Sequence, residues 1–180
     1  MKKFILLLLV AVFLSPSCNN DDEDDTAPAI IIQDLVVKNN EITGWTFSGT
    51  GWTANNITDL TAYINGGAEV YQLHGFVEAV NQAYQGTVNQ NPAVLTMYIY
   101  DQGNEANCDD LYNDPNLGFS GAIDWTGGAG TKAHYVRYGL SQQLAFYHDA
   151  YYVLLDINVD TEESLSILQQ FALNVDGKIN

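Results

Sequence analysis

Hydrophobic positions along this 180-residue chain follow two periods, one suited to helices and one to strands. Apolar residues recur at Ile57, Leu60, Ile64, Ala68 and Tyr71, the three-four-four-three spacing of one helix face. Asn55, Asn56 and Thr58 offer N-caps, Asp59 suits the positive end, and Gly75 is a good C-cap residue; together they predict a helix of about four turns. Its middle holds an adjacent pair, Gly66-Gly67. A helix-interior glycine costs about 1 kcal/mol relative to alanine, so the pair predicts a close backbone approach at that point.

The period-two and continuous apolar runs predict the strands. Ala29–Ile32 and Leu35–Val37 are short β-prone runs, and Glu41–Phe47 alternates weakly before a break at Ser48-Gly49-Thr50-Gly51. Phe76–Tyr84 reads as a strand with Phe76, Val80 and Tyr84 on one face, and the polar segment Gly86–Pro92 as a loop. Ala93–Tyr100 is apolar on both faces, as a central strand is, and an antiparallel hairpin is the natural way to join it to its neighbour. A short helix follows over Glu105–Tyr112, with Cys108, Leu111 and Tyr112 inward and Asp114-Pro115 as its stop. Residues 116–131 form a long glycine-rich loop bearing Phe119, Ile123 and Trp125, either a binding loop or a packed surface loop, and the expected mobile part. Ala133–Leu140, Gln143–His148 and Ala150–Val159 read as strands, with a tight turn at His148-Asp149. Asp160-Thr161-Glu162-Glu163 resembles a capping box, and Leu165, Leu168, Phe171, Ala172 and Val175 then mark a last amphipathic helix ended by Gly177. The order predicts an α+β domain: an antiparallel sheet packed by two main helices plus a short one. Two related helix/strand halves would also fit that order, although no sequence identity supports a duplication.

Charge and the first residues add an address. Lys2 and Lys3 precede the unbroken apolar run Phe4–Leu14, too short to span a bilayer comfortably and typical of an export signal. Leu14-Ser15-Pro16-Ser17-Cys18 resembles a bacterial lipobox, in which the cysteine is lipidated and becomes the mature N-terminus. The alternative is an ordinary signal peptide with an incidental cysteine. Asn19-Asn20-Asp21-Asp22-Glu23-Asp24-Asp25 self-repels and reads as a tether. Acidic residues directly behind such a cysteine also resemble the surface-export signal of some gram-negative lipoproteins. The expected organisation is a lipoprotein signal peptide over 1–17, an acidic tether over 18–28 and one domain over 29–180. Its expected place is the outer membrane, held through the N-terminal lipid and facing either the cell surface or the periplasm.

With 6 Lys+Arg against 22 Asp+Glu and a net charge of −16, the chain cannot neutralise phosphates, and nucleic acid is excluded as a partner. Only Cys108 remains once Cys18 is acylated, so no internal disulfide forms. No lysine or arginine lies near Cys108 in sequence, which favours an inert buried thiol over a nucleophile.

A resemblance covers most of the domain. Gly44-Trp45, Leu60–Tyr71 with its Ile-Asn-Gly-Gly-Ala-Glu core, and Gly75-Phe76 resemble an exported bacterial domain family of unknown function. Tyr98–Ala106 is similar to that family's strand-then-helix segment, and the Phe146–Leu155 hairpin and last helix are compatible with it. His148-Asp149 departs from the basic residue and glycine that the pattern places at that turn. The resemblance implies a fold and an address, and no activity.

Chemistry-bearing candidates are few. Asn65 and Glu69 lie one helical turn apart, flanking Gly66 and Gly67. They either look into a pocket opened by the missing side chains or bond the backbone of a closely packed segment. Asp101, after the central strand, would pair with Glu69 in a hydrolase using two carboxylates, or simply cap the next helix. Trp125, Trp45 and Trp52 could form an apolar or sugar-stacking surface. His74, His134 and His148 lack paired-ligand spacing, and Asp109, Asp110 and Asp114 lack the spacing of a calcium loop. Gly127–Gly130 lacks the lysine of a phosphate loop, and no serine sits in a nucleophile elbow. No metal or cofactor is expected. The expectation is a non-enzymatic module binding a small molecule, glycan or protein partner through Asn65, Gly66, Gly67, Glu69, Asp101 and Trp125. The rivals are a two-carboxylate hydrolase and a structural subunit of an envelope assembly. Protease shaving of intact cells checks the address: surface display predicts loss of the domain, and complete protection refutes it.

Overall fold

A computed structural model describes residues 30–179, so the signal, Cys18 and the tether lie outside the described residues. Eight strands form one antiparallel sheet: β1 (Thr46–Phe47), β2 (Trp52–Ala54), β3 (Glu78–Val88), β4 (Asn91–Asp101), β5 (Ile123–Asp124), β6 (Lys132–Arg137), β7 (Gln142–His148) and β8 (Tyr151–Ile157). Their order is β1-β3-β4-β8-β7-β6-β5, with β2 also paired to β3. Five α-helical segments accompany the sheet: α1 (Ile32–Leu35), α2 (Ile57–Ile64), α3 (Ala68–Leu73), α4 (Glu105–Tyr112) and α5 (Glu162–Ile179). The α+β expectation of an antiparallel sheet covered by helices is met.

Both faces of the sheet are buried. On one, Leu95, Met97, Ile99, Phe146, Val153 and Leu155 meet Leu168, Phe171, Ala172 and Val175 of α5, with Ile32 and Leu35 of α1. On the other, Ala79, Tyr100, Ala145, Tyr147 and Tyr152 meet Leu60 of α2, Ala68 and Tyr71 around α3, and Cys108 and Leu111 of α4. Apolar side chains on both sides of β4 therefore follow from its position, paired with β3 on one edge and β8 on the other.

Several boundaries differ from the sequence reading, each for a local reason. Ile32–Leu35 is a single helical turn, because the i, i+3 spacing of Ile32 and Leu35 buries both under α5. The expected loop at Gly86–Pro92 is mostly strand: β3 runs to Val88, β4 resumes at Asn91, and Asn89 and Gln90 both take left-handed φ (49° and 65°). That is the pattern of a two-residue hairpin turn whose twist matches the strands. Pro92 is tolerated because Val94 turns its N–H toward Asn158, so two residues earlier the missing donor points where β8 has ended. The strand expected from Phe76 starts at Glu78, since Phe76 and Gly75 close α3: their N–H groups donate to Tyr71 and Gln72 carbonyls, with Gly75 at φ +85°. β6 stops at Arg137, and Leu140 lies in the following turn, 85% exposed. The β7–β8 turn falls at Asp149-Ala150, one residue later than expected. Gly177 does not end α5, which continues until Ile179 is buried and Lys178 Nζ donates to Val36 O and Glu41 Oε2. The capping pair falls one residue later than the expected Asp160–Glu163 box, with Thr161 N donating to Ser164 Oγ (2.8 Å) and Ser164 N to Thr161 Oγ1 (3.1 Å), while Glu163 accepts from Asn89 N.

Close approach does occur at glycines, but elsewhere. A methyl added at Gly86 would meet the Trp45 indole at 2.5 Å, and Trp45 in turn packs edge-on against Phe171. Around Gly66 nothing lies within 4 Å, and at Gly67 only Ile64 Cδ1 at 4.0 Å, which overturns the expected close backbone approach at the pair. Gly86→Ala is expected to destabilise by about 1–3 kcal/mol through overpacking. Gly66→Ala is expected to stabilise by about 0.4–1 kcal/mol, because it restricts the unfolded chain at a site with room. Urea unfolding of both variants against wild type checks the opposite signs.

Candidate functional site

The predicted long helix is broken at the motif. α2 starts as expected, the Asn56 side chain accepting from Asp59 N, but ends at Asn65, which takes φ 54°. Asn65–Gly67 then makes one 3₁₀ turn and α3 begins at Ala68. Asparagine tolerates the left-handed backbone, and the break leaves the glycine pair on the surface. The polar exposed residues of the motif do not grip a neighbouring segment.

Beside this break a cleft of about 520 Å³ opens onto the sheet. Its walls are Ile64, Gly67, Val70 and Tyr71 from the α2–α3 side and Asn116 and Leu117 from the 3₁₀ turn Pro115–Leu117. His74 Nε2 and Asp114 Oδ2 lie 2.8 Å apart, and Asp114 Oδ1 accepts from Asn116 N and Nδ2 (both 2.8 Å). Those bonds tie the end of α3 to the opposite wall. They also hold the Asp114 carboxyl below its usual range, the His74 bond first.

The floor is Thr96, Tyr98 and Tyr100 of β4, Leu154 and Asp156 of β8, and Gln143 of β7. Thr96 and Gln143 are the direct cross-strand partners of Asp156, so three polar side chains form one row across three central strands. Gln143 Nε2 donates to Asp156 Oδ2 (2.8 Å), and Tyr138 Oη donates to Gln143 Oε1 (3.2 Å), which orients the carboxamide. Above the row runs an aromatic series. Tyr71 stacks on Tyr100 at 3.9 Å, Tyr98 lies nearly parallel to Tyr100 at 6.3 Å, and Trp52 stands 6.1 Å from Tyr98 and stacks on Tyr63 at 4.5 Å. Burial pushes the Tyr71 phenol up to about 12, and burial followed by the Asp156 charge raises that of Tyr98. These phenols are therefore neutral donors and acceptors at physiological pH. The cleft combines flat apolar faces, neutral hydrogen-bonding groups and one carboxylate. It suits recognition of a small polar ligand.

Of the residues expected from sequence, Gly67 lines this cleft. Gly66 and Glu69 line an adjoining hollow of about 370 Å³ that shares Gly67, Val70 and Asn116 with it. Asn65 sits at the break and lines neither. Asp101 closes β4 opposite Glu78 and Tyr151, accepts from Gly103 N (2.7 Å) and does not line the hollow that holds Glu69. Trp125 lies in a separate hollow of about 460 Å³ lined by 124–133. There the glycine-rich loop is tied down: Gly128 packs against the Trp125 indole, Thr131 N donates to Tyr147 O, and Gly130 N donates to Asp176 Oδ1. Part of the expected loop is strand, β5 pairing with β6.

Sequence reasoning missed Thr96, Tyr98, Gln143 and Asp156. A usable signal existed, since a carboxylate at position 156 of a central apolar strand is anomalous. The remaining titratable candidates are structural. Cys108 is fully buried, and burial above all pushes its thiol up to about 12. His134 is stacked between Tyr112 (4.1 Å) and Phe119 (4.4 Å), and burial pulls its pKa to about 4. His148 Nδ1 lies 2.7 Å from Asp176 Oδ1. Among the described residues no group of three or more His, Cys, Asp or Glu side chains could hold a metal ion. Comparison with family models, with curated proteins and with solved structures returned no match.

Glu78 and Asp101 face each other across β3 and β4, and both carboxyls are raised, Glu78 by burial and then by the Asp101 charge, Asp101 by burial. A raised carboxyl binds its proton more tightly in the folded state, so this pair lowers stability as pH rises through the carboxylate range. Glu78→Gln is expected to stabilise by about 0.5 kcal/mol at neutral pH, the size of one cross-strand like-charge pair. The gain is expected to vanish once both carboxyls are protonated; thermal melts at pH 7 and pH 3 check it.

Proposed function

We propose that this chain is a lipid-anchored protein of the bacterial cell envelope whose domain is a non-enzymatic binding module, taking a small polar ligand in the cleft beside Gly66-Gly67. The observation that carries the reading is the row Thr96–Asp156–Gln143 at the floor. Polar groups in the middle of a doubly covered sheet cost stability unless they are satisfied, and here they open onto a ligand-sized, aromatic-walled cleft. The glycine pair supports the same reading from the rim, where any side chain at position 67 would stand in open space beside the mouth. For the address, the support is the Leu14–Cys18 sequence and the acidic run behind it. No helix among the described residues is long and apolar enough to cross a membrane, so in this reading attachment comes from the Cys18 lipid. Membership of the exported family with the Ile-Asn-Gly-Gly-Ala-Glu core belongs to the same proposal.

Chemical-shift mapping of the full chain in mild detergent, with methyl glycosides and small aromatic alcohols and amines as probes, tests the cleft. At least one probe is expected to shift the amides of Thr96, Tyr98 and Asp156. Gly67→Phe is expected to abolish that shift without lowering the melting temperature, because position 67 has helical φ and room for a side chain. A panel in which no probe moves those amides refutes the reading.

A further inference from the structure

We propose that the ligand of this cleft carries a positive charge, an amine or quaternary ammonium group, for which Asp156 is the counter-ion and Tyr98 an aromatic face; the inference rests on the cleft being the binding site. Asp156 is half-buried at the centre of the floor. Its Oδ2 accepts from Gln143, whose own carbonyl is occupied by the Tyr138 hydroxyl, while Oδ1 has no hydrogen-bond partner among the described residues. Among the described residues no lysine or arginine pairs with it. Lys132 pairs with Asp109, Arg137 with Asp160 and Glu162, and Lys178 with Glu41; none of these, nor Lys38, lines the cleft.

A half-buried carboxylate with no opposite charge beside it gains from a cation brought to it, through a charge-assisted contact at reduced local dielectric. Tyr98 lines the same cleft and feels the Asp156 charge, so its neutral aromatic ring is the second group suited to ammonium recognition. Net charge works in the same direction. At −16 the chain raises the local concentration of cations and repels anionic ligands. A neutral sugar would use the tyrosines and carboxamides equally well, but it would leave the Asp156 charge uncompensated. The floor therefore discriminates by charge, and the walls by shape.

The test compares benzylammonium with its neutral isostere, benzyl alcohol, on the full chain in mild detergent by chemical-shift titration. Benzylammonium is expected to saturate shifts at Thr96, Tyr98, Leu154 and Asp156 with affinity about tenfold or more above that of benzyl alcohol, the scale of one charge-assisted contact. Asp156→Asn keeps the shape and the Gln143 bond, so it is expected to erase the difference between the two probes, with an unchanged melting temperature as the control that the fold is kept. Equal affinities for the two probes at these amides, or an unaltered preference in Asp156→Asn, overturn the charge assignment and leave the cleft reading standing. Shifts scattered over the acidic surface, or none with either probe, overturn the charge assignment; the cleft reading falls with it only where the methyl glycosides also leave these amides unmoved.

Discussion

The structure depends on one constraint: β4 is paired along both edges and covered on both faces. Its backbone is satisfied by β3 and β8, and its alternating side chains reach two separate cores. A strand so placed requires helical cover on both sides of the sheet, and the chain supplies it unequally. On one side α5 lays a continuous face of Leu168, Phe171, Ala172 and Val175 over the strands. Trp45 and Tyr84 seal its edge around Phe171, and the Tyr84 hydroxyl is bonded to Val37 O (2.7 Å). On the other side the cover is assembled from α2, α3 and α4, which are short and interrupted.

The cleft is the consequence of that inequality. Where α2 ends at Asn65 and the chain makes a single 3₁₀ turn, the cover stops short of the 3₁₀ turn at Pro115–Leu117, and the sheet floor between them stays open. At that opening the sequence places Thr96, Gln143 and Asp156 in strands that are otherwise apolar on this face. Buried without access to water or ligand, such a row would be costly; at the base of a cleft its polar groups stay accessible. The His74–Asp114 pair spans from the end of α3 to the far wall, so the width of the opening is set by hydrogen bonding as well as by packing.

Aromatic content divides along the same line. Phe171, Phe146 and Trp45 pack the closed side, where Tyr84 also bonds Val37 O through its hydroxyl. Tyrosines dominate the open side, with Tyr71, Tyr98, Tyr100 and Tyr152. Of these only Tyr98, which lines the cleft, is partly exposed, while Tyr71, Tyr100 and Tyr152 are buried. The acidic balance of the chain adds a negative field around this face.

Much of the fold was legible because it rests on local rules. The period of apolar residues, the caps at Asn56 and Gly75, and the doubly apolar run at 93–100 determined the α5 face, the start of α2, the end of α3 and the central strand. Three-dimensional pairing decided the rest. Whether Gly86 is a turn or a strand residue depends on Trp45, which arrives from about forty positions earlier in the chain, and Ile32–Leu35 is helical because α5 lies over it. The site follows the same rule. Gly66-Gly67 stood out in the sequence as an anomaly of period, yet its meaning reversed once its surroundings were known: open space, not close approach. Thr96, Gln143 and Asp156 are up to sixty positions apart and become one row only through strand register. Register is a property of pairing between distant segments, and no local pattern carries it.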